Sequence, residues 1–189
     1  MKFWEKDKLG NKLLKSIKKK IKIGILGGTF DPAHKGHLKI SKLAKTKYKL
    51  KYVTWAITKK NPFKDKSKLD LNSRIKFAKK IIGNNKFIKI KFYESIIKSN
   101  KTIDLIRYLK RKNKFLNIYF IIGADNLINF HKWHKWQLIS KSCNILVFDR
   151  HGYRARALKT NILKKLIKNK LEFIKFKKIN ISSSKLRKI

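Results

Sequence analysis

The sequence has a single cysteine and no long hydrophobic run, and both shortages narrow the class of protein. Cys143 lies in the apolar run Cys143 to Phe148, so no internal disulfide can form and we expect a buried, inert thiol in a reducing compartment. No stretch approaches the roughly 20 apolar residues in a row that a membrane span needs. The basic segment Met1 to Lys20 lacks the apolar core of a secretory signal. These features indicate a cytoplasmic protein with no membrane partner.

Acidic residues are also scarce: ten Asp and Glu stand against 52 Lys and Arg, which gives a formal net charge of +42. Such a charge attracts polyanions, so a basic nucleic-acid-binding protein is one candidate class. Nearly all the basic residues are Lys, however, and they are spread over every segment with abundant Ile, Asn and Phe, as an A/T-rich coding sequence would favour. Because a dedicated nucleic-acid surface concentrates its basic residues on one face, we expect no specific nucleic-acid partner.

From Lys20 onward, short runs typical of strands alternate with segments typical of helices. The predicted strands are Ile21 to Leu26, Tyr52 to Ile57, Phe87 to Phe92, Ile118 to Ile122, Ile145 to Phe148 and Glu172 to Phe176. The predicted helices are Gly36 to Tyr48, Leu69 to Ile82, Thr102 to Lys112, Asn126 to Ser140 and Ala155 to Lys168. This alternation predicts a single doubly wound, Rossmann-like α/β domain with a mostly parallel sheet over residues 21–189, preceded by a basic extension over residues 1–20.

The densest group of chemically suited residues follows the first predicted strand, at the edge where a doubly wound sheet binds its ligand. Gly27 and Gly28 allow backbone N–H groups to approach a phosphate closely, and the N-terminus of the following helix favours an anion. His34 and His37 lie three residues apart, so both imidazoles can donate hydrogen bonds to phosphate oxygens on one side. Two other interpretations stay open: a metal site completed by Asp31, and a pair of helix caps.

The segment Gly27-Gly-Thr-Phe-Asp-Pro-Ala-His-Lys-Gly-His37 resembles the signature of the HIGH-type nucleotidyltransferase superfamily, in a form closest to bacterial nicotinate-nucleotide adenylyltransferases. The resemblance implies an enzyme that transfers AMP from ATP to nicotinate mononucleotide, with Mg²⁺ bridging phosphate oxygens and no protein nucleophile. It also implies that His34 and His37 are catalytic contacts to the triphosphate. Phosphopantetheine and cytidylyl transferases share this motif and remain alternatives. The residues expected to surround ATP at this turn are Gly27, Gly28, Thr29 and Phe30.

A second anion-binding segment, Ile181-Ser-Ser-Ser-Lys-Leu-Arg187, follows the last predicted strand. Serines at a helix start accept hydrogen bonds from free N–H groups, and the same helix end can hold phosphate oxygens. The segment is similar to the family's Ile-Ser-Ser-Thr-x-Ile-Arg signature, which implies ATP contacts from Ser182, Ser183 and Ser184 and a catalytic role for Arg187. A helix this short is marginal alone, so we expect it to be mobile until ATP binds.

Two middle segments extend the resemblance into the acceptor site. Asn61-Pro-Phe-Lys64 matches a family element in which Asn61 lies beside the pyridine nucleotide and Lys64 lies near phosphate. Thr102 matches a helix start whose backbone meets the nicotinate carboxylate, although the preceding family Tyr is Lys101 here. We therefore expect Asn61, Lys64 and Thr102 to bind the acceptor.

A third middle segment, Ile121-Ile-Gly-Ala-Asp-Asn-Leu127, implies nucleotide contacts from Gly123 and Asp125. Beyond it, the resemblance implies that Trp133 stacks on the pyridine ring and that the backbone of His134 lies near its carboxylate. Core packing is the alternative for Trp133 and the preferred interpretation of Trp136. The sequence leaves open the preference for nicotinate over nicotinamide, and it leaves open a homo-oligomer.

Overall fold

The computed structural model of the 189-residue chain describes residues 20–61, 67–149, 153–159 and 171–175. Its strands are β1 (Ile21–Gly28), β2 (Tyr52–Ile57), β3 (Ile88–Lys91), β4 (Leu116–Gly123), β5 (Asn144–Phe148) and β6 (Leu171–Ile174). Its α-helices are α1 (Lys35–Tyr48), α2 (Leu71–Ile82), α3 (Glu94–Ile97), α4 (Thr102–Lys112), α5 (Ala124–Ile128), α6 (Trp136–Ser142) and α7 (Arg154–Leu158). A 3₁₀ turn, Phe130–Lys132, lies between α5 and α6.

The six strands form one sheet in the order β3-β2-β1-β4-β5-β6, and every pairing in it is parallel. Chain order reverses between β1 and β4, which are neighbours in the sheet although β2 and β3 separate them in sequence. An open parallel sheet binds ligands beyond the carboxyl ends of its strands at such a reversal. The predicted doubly wound α/β fold is confirmed, and it directs attention to the ends of β1 and β4.

The sheet is buried on both faces, because successive residues of its central strands alternate between two apolar clusters. Ile23 and Ile25 of β1 pack on one face and Leu26 packs on the other. In β5, the odd-numbered residues of 145–148 join the first cluster and the even-numbered ones join the second. A strand covered on both sides is apolar along its buried length, as β1 and β5 are. Because both faces of the sheet are packed, the backbone at the strand ends is held in place.

The predicted strands match the observed ones to within a few residues, and β2 and α4 have the predicted bounds. The single helix expected over residues 126–140 is wrong. Trp133 has an extended backbone (φ −76°, ψ 138°) and Lys135 a left-handed one (φ 51°), and a helix continues through neither conformation. The break brings the rings of Phe130 and Trp133 together, with centroids 5.4 Å apart. Tertiary packing therefore outweighs helix propensity here.

Two further predictions, the helix over residues 155–168 and the basic N-terminal extension, fall largely on residues that the structure does not describe. Of the helix predicted over residues 155–168, the structure describes α7, and residues 160–170 lie outside the described part, as does nearly all of the basic extension over residues 1–20. Cys143 is buried as expected, and burial raises the pKa of its thiol to about 12. Within the described ranges, no helix combines the length and the apolar character needed to cross a bilayer.

Candidate active site

Gly27 and Gly28 end β1 at the carboxyl edge of the sheet. A Cβ atom added at Gly27 would lie no closer than 3.8 Å to its nearest non-neighbouring protein atom, and one at Gly28 no closer than 3.6 Å. Neither glycine has a left-handed backbone. The fold itself therefore has room for a side chain at both positions, and both glycines line an open cavity. Bare backbone at this edge suits the close approach of a phosphate.

His34 and His37 interlock at the first turn of α1. The backbone N–H of Gly36 donates to Nδ1 of His34 over 3.1 Å, and the backbone N–H of His34 donates to Nδ1 of His37 over 3.2 Å. These two bonds make a reciprocal capping box. The two rings face each other with centroids 3.9 Å apart and planes inclined by 34°. Both residues therefore take part in capping the start of α1.

Capping also determines which nitrogen of each ring carries the proton. Because Nδ1 accepts a backbone hydrogen bond in both rings, the proton of each neutral imidazole lies on Nε2. Each Nε2–H is then a hydrogen-bond donor held beside the N-terminus of a 14-residue helix. Two such donors and the helix dipole together favour an anionic ligand, so capping and anion binding are compatible roles.

The position of His37 is fixed from behind by buried groups. The indole Nε1–H of Trp55 donates to Oγ of Ser41 over 2.8 Å, and that hydroxyl donates to the backbone carbonyl of His37 over 2.9 Å. Ser41 and Trp55 are fully buried. The ring of Phe30 stacks on Trp55 at 5.0 Å and contacts the His37 ring at 4.8 Å. The imidazole of His37 therefore packs against two buried aromatic rings, those of Phe30 and Trp55.

Asp31 is engaged by the backbone of a distant segment. Its carboxylate is buried and accepts hydrogen bonds from the backbone N–H groups of Lys68 (2.8 Å) and Leu69 (3.1 Å). It thus ties the turn after β1 to the segment that leads into α2. Across the parts of the chain that the structure describes, no group of three or more His, Cys, Asp or Glu residues is placed to hold a metal ion.

A cavity of about 450 Å³ opens beside Gly27 and Gly28. It brings together every described residue that the sequence assigned to the acceptor, namely Asn61, Thr102, Trp133 and His134. Trp133 packs edge-on to Phe120 at 5.9 Å and forms part of the cavity wall. Trp136 packs against Phe130 at 6.3 Å, and both tryptophans contact the same core cluster, but Trp136 does not line this cavity.

Among the cavity residues that the sequence interpretation did not assign are Tyr93 and Glu94. They follow β3, where a parallel sheet places functional groups, and Glu94 is one of only ten acidic residues in the chain. Both carboxylate oxygens of Glu94 accept from the backbone N–H of Lys59, at 3.3 and 3.2 Å. Partial burial raises the pKa of Glu94 above its ordinary value.

Gly123 and Asp125 lie at the carboxyl end of β4, next to β1 in the sheet. A Cβ atom at Gly123 would come within 2.4 Å of Oδ1 of Asp125, so this carboxylate occupies the space that a side chain at residue 123 would take. The glycine therefore permits the observed position of Asp125.

The predicted contacts near the C-terminus and one acceptor residue lie outside the described residues. They are Lys64, Ser182, Ser183, Ser184 and Arg187. Their roles, and those of the described site residues, stay predictions. The described geometry combines a glycine turn, two Nε2–H donors at a helix N-terminus and a cavity at the strand reversal of a parallel sheet. Fold and site together define a nucleotidyltransferase with a Rossmann-like sheet.

Comparison with known proteins narrows this class to a family. The family model described as cytidylyltransferase-like matches residues 25–189. A probable nicotinate-nucleotide adenylyltransferase of Pelagibacter ubique (strain HTCC1062) is 68% identical over 90% of this chain and 94% of the relative. Another, from Bradyrhizobium sp. (strain ORS 278), is 41% identical over 73% of this chain and 72% of the relative. The chain belongs to the cytidylyltransferase-like family and, within it, to the nicotinate-nucleotide adenylyltransferases.

Solved structures agree on the fold. Plasmodium falciparum nicotinic acid mononucleotide adenylyltransferase complexed with NaAD aligns with a TM-score of 0.70 at 22% identity, covering 88% of this chain and 82% of that one. A putative nicotinate-nucleotide adenylyltransferase from Vibrio parahaemolyticus aligns with a TM-score of 0.62 at 19% identity, covering 88% and 84%. The resemblance inferred from the sequence motifs is thus confirmed at the level of family and fold.

Proposed function

We propose that this chain transfers the AMP moiety of ATP to nicotinate mononucleotide, which yields deamido-NAD and pyrophosphate. Family membership supports the reaction class, since the relatives carry the name of this activity. The observation that carries the proposal is the contact between two parts of the site. The glycine turn that leads to His34 and His37 also forms one wall of the cavity that holds the predicted acceptor residues.

The reaction is a direct displacement. A phosphate oxygen of the acceptor attacks the α-phosphorus of ATP, the bond to the bridging oxygen breaks, and pyrophosphate leaves. The protein's work in such a transfer is to align two anions and to stabilise the charge that develops on the phosphate oxygens. The Nε2–H groups of His34 and His37 are proposed to donate to those oxygens, while the bare backbone at Gly28 allows the triphosphate to approach.

Mg²⁺ is proposed to arrive with ATP as part of the substrate. The described residues do not form a cluster of three metal-ligating side chains, and Asp31 is engaged with backbone N–H groups. Mg²⁺ commonly takes most of its ligands from substrate phosphates and water. We therefore assign no resident metal site to the described residues.

The acceptor is proposed to bind in the 450 Å³ cavity with its ring against Trp133. The other cavity residues assigned to it are Asn61, Thr102 and the backbone at His134. Three lysines, Lys60, Lys101 and Lys132, also line the cavity. Their charge suits an acceptor that carries a phosphate and a carboxylate.

Pyrophosphate release from ATP and Mg²⁺ tests the proposal when nicotinate mononucleotide, nicotinamide mononucleotide and phosphopantetheine are offered separately. Release that is fastest with nicotinate mononucleotide, with deamido-NAD identified by mass, is the expected result. Preference for phosphopantetheine would assign the chain to another transferase activity. Silence with all three acceptors, together with tight, salt-sensitive DNA binding, would overturn the enzyme proposal in favour of a nucleic-acid-binding protein.

A further inference from the structure

Arg74 differs from the other basic residues of this lysine-rich chain. It projects from the first turns of α2 and its side chain is 3% exposed, which makes it the one buried basic residue among those the structure describes. Taking a guanidinium out of water is costly, and this desolvation lowers its pKa. Arg nevertheless remains charged in proteins. A charged guanidinium is therefore buried against the loops that follow β1 and β2.

The hydrogen bonds of Arg74 join the loops that follow two neighbouring strands. Its Nη1 donates to the carbonyl oxygen of Thr29 and to that of Thr58, each over 2.7 Å. Thr29 belongs to the turn after β1, and Thr58 directly follows β2. Nη2 donates more weakly to the carbonyl oxygen of Lys59 over 3.4 Å. One planar group thus bridges the two loops, next to a backbone hydrogen bond from the Thr58 N–H to the Gly28 carbonyl oxygen over 3.0 Å.

The second of these loops is also held from its other side. Both oxygens of Glu94 accept from the backbone N–H of Lys59, at 3.3 and 3.2 Å. Arg74 therefore holds the carbonyl groups of this loop and Glu94 holds an N–H group of the same loop. Two residues further along lies Asn61, which lines the acceptor cavity as Glu94 does.

The two loops carry different halves of the proposed reaction. The turn at Thr29 contains the predicted ATP contacts, and the loop over residues 58–61 leads to the acceptor cavity. In-line transfer needs reacting atoms about 3–3.5 Å apart, and a displacement of about 1 Å can cost a factor of about 10² in rate. A link between these loops therefore acts on the alignment of the two bound substrates.

We propose that Arg74 is a positioning residue which, together with Glu94, fixes the distance between the ATP-binding turn after β1 and the acceptor-binding loop after β2. The inference rests on the proposed function. A lysine at residue 74 keeps the charge but loses the planar fork that reaches several carbonyl groups at once. Loosening the link affects the turnover of the ternary complex more than the binding of either substrate alone.

The test compares Arg74→Lys and Glu94→Ala with wild type and with Arg111→Lys, a matched control at an exposed arginine in the last turn of α4. Steady-state kinetics with both substrates, thermal unfolding, and equilibrium binding of each substrate alone are measured. We expect kcat per folded enzyme to fall by about 10- to 100-fold in Arg74→Lys. Binding of each substrate alone should change much less than kcat. Glu94→Ala should show a smaller fall in kcat, again with little change in the binding of either substrate alone. Arg111→Lys should have the kcat and the substrate affinities of wild type.

Two results would overturn the inference. One is a folded Arg74→Lys variant with kcat near wild type. The other is a loss confined to the affinity for one substrate, which would show that Arg74 supports only one of the two loops. If Arg74→Lys fails to fold, the partly buried Glu94 decides the question, and unchanged kcat in Glu94→Ala overturns the proposal. A wild-type enzyme that is inactive with nicotinate mononucleotide refutes the proposed function instead, so the two failures are distinguishable.

Discussion

The backbone N–H of His34 donates to Nδ1 of His37 over 3.2 Å, so the backbone of one candidate catalytic residue orients the ring of the other. This bond, and the bond from the Gly36 N–H to Nδ1 of His34, leave each ring with its proton on Nε2 when the imidazole is neutral. Rings fixed in this way need little reorganisation when charge develops on a phosphate, and such preorganisation is the main source of electrostatic catalysis. The cap that begins α1 is therefore also the proposed donor pair.

Replacement of His37 by Ala should lower kcat by roughly 10² or more, the scale of losing one oxyanion-type donor. The fold should survive, because the cost is that of a lost cap contact, about 0.5–2 kcal/mol. Pyrophosphate release and thermal unfolding measure the two effects separately. His131→Ala, at an exposed histidine of the 3₁₀ turn, is the control. Near-normal turnover in folded His37→Ala would refute the assignment.

Gly28→Ala should impair ATP binding without harming stability. An added Cβ atom meets only ordinary contacts within the protein, at 3.6 Å or more, so we expect a change within about 0.5 kcal/mol in the free energy of unfolding. The methyl group would instead occupy space proposed for the triphosphate. A rise of about tenfold in the KM for ATP, equivalent to about 1.4 kcal/mol, is the expected result.

Gly24→Ala is the matched control within the same strand. Its Cβ atom would lie 3.0–3.2 Å from side-chain atoms of Leu50, Val53 and Ile121, which pack tightly in the core. Overpacking of this kind costs about 1–3 kcal/mol. Gly24→Ala should therefore lower stability and leave the KM for ATP unchanged. An unchanged KM for ATP in Gly28→Ala would remove the argument that this glycine admits the phosphates.

The sequence predicted the parts of the fold and site that local patterns encode. The apolar strands buried on both faces, the helix start at Thr102 and the glycine turn before His34 each follow from a short run of residues. The residues that the resemblance assigned to the acceptor follow β2, β3 and β4 in sequence and lie together around one cavity, although their binding role stays a prediction.

The features that the sequence did not predict depend on contacts between distant segments. Arg74 is one of 52 basic residues, and nothing near it in sequence shows that its partners are the carbonyl groups of Thr29 and Thr58. The four-residue helix α3 is too short for a helical period to be detected, so Glu94 was overlooked. The break before α6 accompanies the packing of the Phe130 ring on the Trp133 ring, a contact that helix propensity does not take into account.

Substitution of Trp133 should raise the KM for the acceptor and leave the KM for ATP unchanged. Loss of aromatic stacking in Trp133→Ala is worth about 0.5–1.5 kcal/mol beyond lost buried area, so the KM for nicotinate mononucleotide should rise by about 2- to 10-fold or more. Trp133→Phe should lie close to wild type, since the indole N–H has no hydrogen-bond partner among the described residues. Trp136→Phe, at a tryptophan that packs on the same core cluster but does not line the cavity, is the control. An unchanged KM in Trp133→Ala would assign Trp133 to the core.

Acid should weaken the attachment of β6 to α1 through a single carboxylate. Lys47 of α1 forms an ion pair with Glu172 of β6, and its hydrogen bond lowers the pKa of Glu172 in the folded protein below the ordinary 4.5. A carboxylate with a depressed pKa stabilises the fold fully above the unfolded-state value and loses that contribution as pH falls through the folded-state value. Both side chains are nearly half exposed, so the pair is worth at most about 1 kcal/mol.

Thermal unfolding of wild type and Glu172→Gln over a pH series measures this contribution. At neutral pH and low salt, Glu172→Gln should unfold up to about 2–4 °C below wild type, the shift expected for about 1 kcal/mol in a chain of this size. The difference should shrink below about pH 4.5, where the wild-type carboxyl takes up its proton, and should also shrink in high salt because exposed charges are screened. A difference that persists unchanged in acid would show that Glu172 stabilises β6 by packing and not by its charge.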